Sequence, residues 1–158
     1  MYFEFKTSQD LFEIVSKMNE NFYKPAIENI VYLEELCNEN AIAYMVALRD
    51  AYSHLVKIFE FTGSFTHDNK LKIERQLERY SGHLERLLFD TYQKIVSVKS
   101  RELWKILPEK QIGPIKTQMA MMIKKQRIVD DGTTIEQKLE GYKQIIEFIE
   151  ETYKKYIE

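Results

Sequence analysis

Three side chains with complementary chemistry lie close together in the first third of the sequence. They are Arg49, Asp50 and His54, in the string Arg-Asp-Ala-Tyr-Ser-His. A guanidinium group binds phosphate oxygens in a fork, and an imidazole takes or gives a proton near neutral pH. Asp50 and His54 are four residues apart, so on a helix the carboxylate neighbours the imidazole and can orient it. Such a trio can bind and cut an RNA backbone, or it can be the solvent-exposed face of an ordinary helix.

Apolar residues recur at three-four spacing along nearly the whole chain, which predicts the helices that position these residues. We expect an all-α protein, a compact up-and-down bundle of five or six helices. Residues 1–158 are predicted to form a single helical domain, with residues 1–6 as an extended arm. Breaks are expected at residues 19–24 and at Gly113-Pro114. The predicted helices cover residues 8–19, 25–61 with a break at 38–40, 70–99, 100–107, 115–129 and 135–156.

The 158 residues carry a net charge of -2, with 44% hydrophobic and 30% charged residues, which is typical of a globular protein. Bulk charge does not indicate nucleic acid, so an RNA contact needs a local basic patch. Two predicted helices carry basic candidates, although Glu74, Glu78 and Glu85 interleave with those of the third helix and also fit a mixed solvated face. The candidate RNA-binding residues are Arg79, His83, Lys124, Lys125 and Arg127.

Apolar residues on the outer faces of the second and third helices suggest a contact surface. The predicted core stripe of the second helix includes Tyr52 and Phe59 and centres near Leu48, which leaves His54 far round the helix at 100° per residue. Val46, Phe61 and Phe89 lie away from the core stripes. A homodimer contact explains them, and so does cover by other helices of the same chain.

No metal and no cofactor are expected. The chain has no Glu-x-x-His pair, no His-Glu-x-x-His and no Cys-x-x-Cys, and it lacks the glycine-rich phosphate loops. No apolar run reaches the ~20 residues that span a bilayer, so no membrane contact is expected. The single cysteine, Cys37, rules out an internal disulfide and fits a reducing compartment. These features predict a cytoplasmic protein.

The string Arg49–His54 resembles the signature of the HEPN superfamily, small all-α RNA-binding and ribonuclease domains. Their motif is Arg, four to six residues, then His, often with a polar residue after the Arg, here Asp50. The segment from His83 to Tyr92 also resembles the His-Leu-x-(Arg/Lys)-x-x-x-Asp-x-Tyr helices of small bacterial proteins of this kind. The resemblance covers six residues closely and about ten more loosely.

The resemblance implies a metal-independent endoribonuclease or RNA-binding protein of a toxin or phage-defence system. Two protomers would line one cleft with both copies of the motif. His54 would act as general acid or base on the RNA 2′-hydroxyl and the leaving oxygen, Arg49 would hold the phosphate, and Asp50 would orient one of them. The products would be a 2′,3′-cyclic phosphate and a 5′-hydroxyl. The alternative is a non-catalytic helical interaction subunit that dimerises or docks a partner protein.

Overall fold

The computed structural model describes residues 3–127 and 134–157, except for the side chains of Gln126 and Arg127. These residues form six α-helices and one π-helical turn and contain no strand, which confirms the predicted all-α helical bundle class. Contacts divide the chain into two compact units, Met1–Thr91 and Tyr92–Glu158. The single domain over residues 1–158 stays a prediction. The elements are α1 Ser8–Met18, the π-helical turn Asn19–Tyr23, α2 Lys24–Glu35, α3 Ile42–Glu60, α4 His67–Ile106, α5 Glu109–Arg127 and α6 Ile135–Ile157.

The start of α1 is fixed by a reciprocal capping box. The Thr7 hydroxyl accepts from the Asp10 N–H at 3.2 Å, and the Asp10 carboxylate accepts from the Thr7 N–H at 2.9 Å. Residues 3–6 before it are not helical, as the predicted arm requires, and residues 1 and 2 lie outside the described part of the chain. Phe5 is buried and packs edge to face on Phe65 with ring centroids 5.9 Å apart. The arm therefore docks on its own unit.

The expected break at residues 19–24 is wrong. The chain passes from α1 to α2 through the π-helical turn, where the Lys24 N–H donates to the Asn19 carbonyl five residues earlier. Pro25 follows this turn directly. A proline ring clashes with the carbonyl four residues before it in a regular α-helix, and a wider turn moves that carbonyl away. The π turn thus lets the helix continue past Pro25.

The break predicted at residues 38–40 is confirmed. Asn38 adopts a left-handed conformation with φ of 51°, which asparagine tolerates better than most residues. The Glu39 N–H then returns to the Leu33 carbonyl at 2.9 Å. The Asn40 side chain accepts from the Ile42 N–H at 2.8 Å, so a short polar turn separates α2 from α3.

Two further predicted breaks are absent from the described residues. Ser100 does not cap a separate helix, because its hydroxyl donates to the Val96 carbonyl at 2.6 Å inside the continuous α4. Pro114 lies inside α5, which continues past it although proline has no N–H to donate to the carbonyl four residues earlier. The last two residues of the predicted helix 115–129 lie outside the described chain.

The first unit is an up-down-up arrangement of three helical rods. Polar contacts join Asn19 to Tyr80 and Asn29 to Thr91, so α1–α2 runs parallel to the first part of α4. Contacts between α3 and α4 run in the opposite order, since His54 meets His83 and Phe61 meets Lys72. A core of fully or nearly fully buried α4 side chains stabilises this arrangement through apolar burial. These residues are Ile73, Leu77, Tyr80, Leu84, Leu87 and Leu88.

The second unit contains the end of α4 together with α5 and α6, and α5 contacts α6. Tyr92 stacks on Tyr142 with ring centroids 6.0 Å apart and planes inclined by 11°. The Gln93 amide donates to the Tyr142 hydroxyl at 2.9 Å. Lys99 pairs with Glu150 at 2.6 Å. Polar groups of α4 and α6 therefore satisfy one another in this unit.

Candidate active site on the first unit

The buried stripe of α3 is rotated toward His54 compared with the sequence-based expectation. Ala51 and Ile58 are buried, whereas Tyr52 and Phe59 are exposed. At 100° per residue this moves the stripe centre roughly 40° round the helix, so His54 borders the core. The position of His54 far from the core was therefore predicted wrongly, because Tyr52 and Phe59 were assigned to the core.

Arg49 and Asp50 form an ion pair with each other at the surface. The Arg49 guanidinium lies 2.9 Å and 3.2 Å from one Asp50 carboxylate oxygen through its terminal and Nε nitrogens. The Arg49 side chain is 73% exposed, so water screens the pair and its contribution to stability is small. Asp50 was expected to orient either His54 or Arg49, and its carboxylate contacts Arg49. On the α3 wheel Arg49 lies roughly 140° from His54, so the two do not converge within one chain.

His54 instead makes two contacts with α4. Its Nδ1 lies 2.8 Å from Oε1 of Gln76. Its ring stacks on His83, with centroids 5.2 Å apart and planes inclined by 21°. The two histidines that the sequence placed on separate helices are thus brought together, with Gln76 as a neighbour that the sequence analysis did not identify.

His83 lines an open cleft on α4, which we call the histidine cleft. Its volume is about 300 Å³, and its lining residues are Arg79, Gly82, His83 and Arg86. Gly82 leaves space there, because a Cβ at this position would meet no atom within 4 Å. Within the described chain no carboxylate forms an ion pair with Arg79 or Arg86, so both guanidinium groups are available to an anion.

The environment of His83 favours its neutral form. Burial lowers the pKa of His83, and the neighbouring His54 and Arg86 lower it further, whereas Asp50 opposes them. A neutral imidazole in a positively charged cleft can accept a proton at neutral pH. Burial raises the pKa of Asp90 farther along α4, against the effect of Arg86.

The spacing of α4 already contained the signal for this cleft. Gln76, Arg79, His83 and Arg86 follow one another at intervals of three, four and three residues, which places them on one helix face. Arg79 and His83 were predicted as RNA-binding residues, whereas Gln76 and Gly82 were missed. A polar stripe beside an apolar stripe is typical of an ordinary solvated helix surface. Its role becomes apparent only when the neighbouring helix, here α3, is known.

The remaining predicted basic residues belong to the second unit. Lys124 and Lys125 are exposed near the end of α5. The side chain of Arg127 lies outside the described residues. Because each unit is described by itself, contact of these residues with RNA stays a prediction.

The three predicted interface residues differ in exposure. Val46 is exposed, and Phe61 is half-buried with the Lys72 ammonium 5.4 Å from its ring centroid. Phe89 is also half-buried. Additional large apolar side chains are exposed on α3, which gives this helix an apolar outer face around Arg49. These are Ile42, Met45, Val56 and Phe59.

The described residues contain neither a cluster of metal ligands nor a membrane-spanning helix. No group of three or more histidine, cysteine or carboxylate side chains is placed to hold a metal ion. No helix there combines the length and hydropathy needed to cross a bilayer. Comparisons with protein-family models, curated proteins and solved structures found no match to the chain.

Proposed function

We propose that the histidine cleft binds the phosphate backbone of RNA and that the protein is an HEPN-like, metal-independent endoribonuclease. One observation carries the proposal: His54 and His83 stack beside two guanidinium groups, and among the described residues no carboxylate forms an ion pair with either, although Asp90 interacts electrostatically with Arg86. Guanidinium groups bind phosphate in forked geometry. In a pair of imidazoles, one ring can accept a proton from the substrate while the other donates one to it. Arg79 and Arg86 therefore take the phosphate-binding role that the sequence assigned to Arg49.

The chemistry divides between the two rings. His83 is neutral at about pH 7 because its pKa is lowered, so it takes the proton of the RNA 2′-hydroxyl as that oxygen attacks phosphorus. His54 gives a proton to the departing 5′ oxygen. The bond between phosphorus and the 2′ oxygen forms as the bond to the 5′ oxygen breaks. The products are a 2′,3′-cyclic phosphate and a 5′-hydroxyl, and proton exchange with water restores both rings.

A homodimer belongs to the same proposal. Arg49 lies within the exposed apolar face of α3, so a second copy seated on that face would bury Arg49 at the contact. Isologous contacts of this kind are the commonest in soluble oligomers. Analytical ultracentrifugation of Phe59→Glu against the unchanged protein tests it, and an unchanged mass contradicts it.

The experiment is RNA cleavage by the full chain in EDTA, with end-group analysis of the products. We expect cleavage to fall on the order of a hundredfold or more in His54→Ala and in His83→Ala. Lys110→Ala removes one exposed charge from the second unit and serves as the matched control. Arg49→Ala loses activity only if a second copy completes the site. Full cleavage by both histidine variants, or no RNA binding by the unchanged protein, overturns the proposal.

The second candidate is a non-catalytic interaction subunit that dimerises or docks a partner protein. The specific observation in its favour is the exposed apolar face of α3. An unchanged protein that neither binds nor cleaves RNA, together with a mass that falls in Phe59→Glu, would favour this candidate.

A further inference from the structure

We infer that Gln76 is a positioning residue that fixes the tautomer of His54, so that Nε2 is the ring atom that exchanges a proton with substrate. The exchange of a proton between Nε2 and substrate rests on the proposed function. The tautomer of His54 does not depend on that function, and it can be measured without RNA.

The geometry defines which atom carries the hydrogen. Oε1 of Gln76 lies 2.8 Å from Nδ1 of His54. A carboxamide oxygen accepts hydrogen bonds and cannot donate them, so Nδ1 must be the donor. This holds for the neutral ring and for the charged ring, so Nδ1 keeps its proton in both and Nε2 is the atom that can exchange one.

Nε2 of His54 is open to solvent. Among the described residues no buried side-chain nitrogen or oxygen lacks a hydrogen-bond partner, and His54 has no hydrogen bond there besides the one to Gln76. Nε2 without a partner must therefore be accessible. The free lone pair of the neutral ring, or the free N–H of the charged ring, lies on that atom.

His83 differs from His54 in this respect. No hydrogen bond within the described residues fixes its tautomer, although it stacks on His54. The two rings of the stack are thus unequal: one is oriented by an amide and the other is oriented by packing alone. An oriented imidazole exchanges its proton at one defined atom, which is the property that directional proton transfer requires.

Nitrogen NMR of the histidine rings in the full chain, without RNA, tests the tautomer. We expect the neutral ring of His54 in the unchanged protein to show a protonated Nδ1 and an unprotonated Nε2. In Gln76→Leu the ring should revert to the Nε2-protonated form that predominates in a free histidine side chain. Gln76→Glu keeps an acceptor oxygen and should keep the protonated Nδ1. Gln118→Leu, a change of an exposed glutamine on α5, should leave the spectrum of His54 unchanged.

The outcomes separate this inference from the proposed function. A protonated Nε2 in the unchanged protein means that the Gln76 amide donates, and it overturns the inference. An unchanged tautomer in Gln76→Leu overturns it as well. Where cleavage is observed, Gln76→Leu should lower kcat on the order of tenfold with little change in KM, and Gln76→Glu should restore it. A protonated Nδ1 in a protein that binds no RNA contradicts the proposed function alone.

Discussion

Two ring stacks that each include one residue of α4 differ in how far their polar atoms are buried. In the second unit Tyr92 stacks on Tyr142, whose hydroxyl accepts from Gln93 and whose side chain is buried. In the first unit His54 stacks on His83 beside an open cleft. A stack whose polar atom is buried and satisfied stabilises a fold, and a stack whose nitrogens reach solvent can do chemistry. We therefore expect the tyrosine pair to contribute mainly to stability, and we propose the histidine pair for function.

The largest expected effect follows from removing the tyrosine stack. Tyr142→Ala removes a buried aromatic side chain and leaves a cavity, which we expect to lower the free energy of unfolding of the second unit by about 3–5 kcal/mol. His83→Ala should cost under about 1 kcal/mol in the first unit, because the ring is half-exposed. Urea unfolding followed by far-ultraviolet circular dichroism reports on both units, and the fluorescence of the single tryptophan, Trp104, reports on the second unit. A His83→Ala protein as unstable as Tyr142→Ala would remove the distinction.

The charge of the histidine cleft predicts the next effect, on RNA affinity. The double change Arg79→Ala with Arg86→Ala removes two phosphate contacts, so the slope of log affinity against log salt for single-stranded RNA should fall by about 1.4. We expect weaker binding by about tenfold or more at low salt. Lys110→Ala with Lys143→Ala, which removes two exposed charges of the second unit, is the matched control. An equal loss of RNA affinity in both double variants would indicate diffuse electrostatic attraction and not binding in the cleft.

Gly82 allows the cleft volume to be changed without disturbing its charges. Gly82→Ala should stabilise α4 by about 1 kcal/mol, because alanine is the better helix former and the space is open. Gly82→Leu fills the cleft and should weaken RNA binding while the protein stays folded. Gly113→Leu, also open to an added Cβ, is the control. Undiminished binding by Gly82→Leu would place the RNA elsewhere.

The smallest expected effect is on the pH dependence of stability. The folded state lowers the pKa of His83 from about 6.5, so below that pH the unfolded chain binds more protons. Stability of the first unit is therefore lost as pH falls through the window below about 6.5. The charged and titratable groups facing His83 are His54 and Asp50 on α3 and Arg79 and Arg86 on α4. Hydrogen exchange of α3 amides at several pH values measures this loss of stability. An equal loss of stability in His83→Gln would contradict its assignment to His83.

The sequence predicted the helical class, the start of α1 at residue 8 and the turn near Asn38, since each depends on local chemistry. It failed at Pro25 and at Pro114, because a π turn accommodates the first proline and α5 continues through the second, which spacing does not reveal. Outcomes of this kind depend on neighbouring turns, which a residue-by-residue reading leaves out.

The candidate site was predictable in part. His54 and His83 were both identified, but their contact depends on which face of α3 is buried, and the exposed Tyr52 and Phe59 misled that assignment. Gln76 could not be found from sequence, because a glutamine on a polar face is ordinary until a histidine is placed opposite. Tertiary contacts, and not spacing, create the site.

The most direct test of the histidine cleft is a titration of the full chain with a 2′-O-methyl RNA oligonucleotide, which cannot be cleaved because it lacks the nucleophile. The measurement is the ring resonances of the three histidines. We predict saturable shifts for His54 and His83, with none for His67, which is exposed at the start of α4. Shifts confined to His67, or no shift at any of the three rings, would contradict binding of RNA in the cleft.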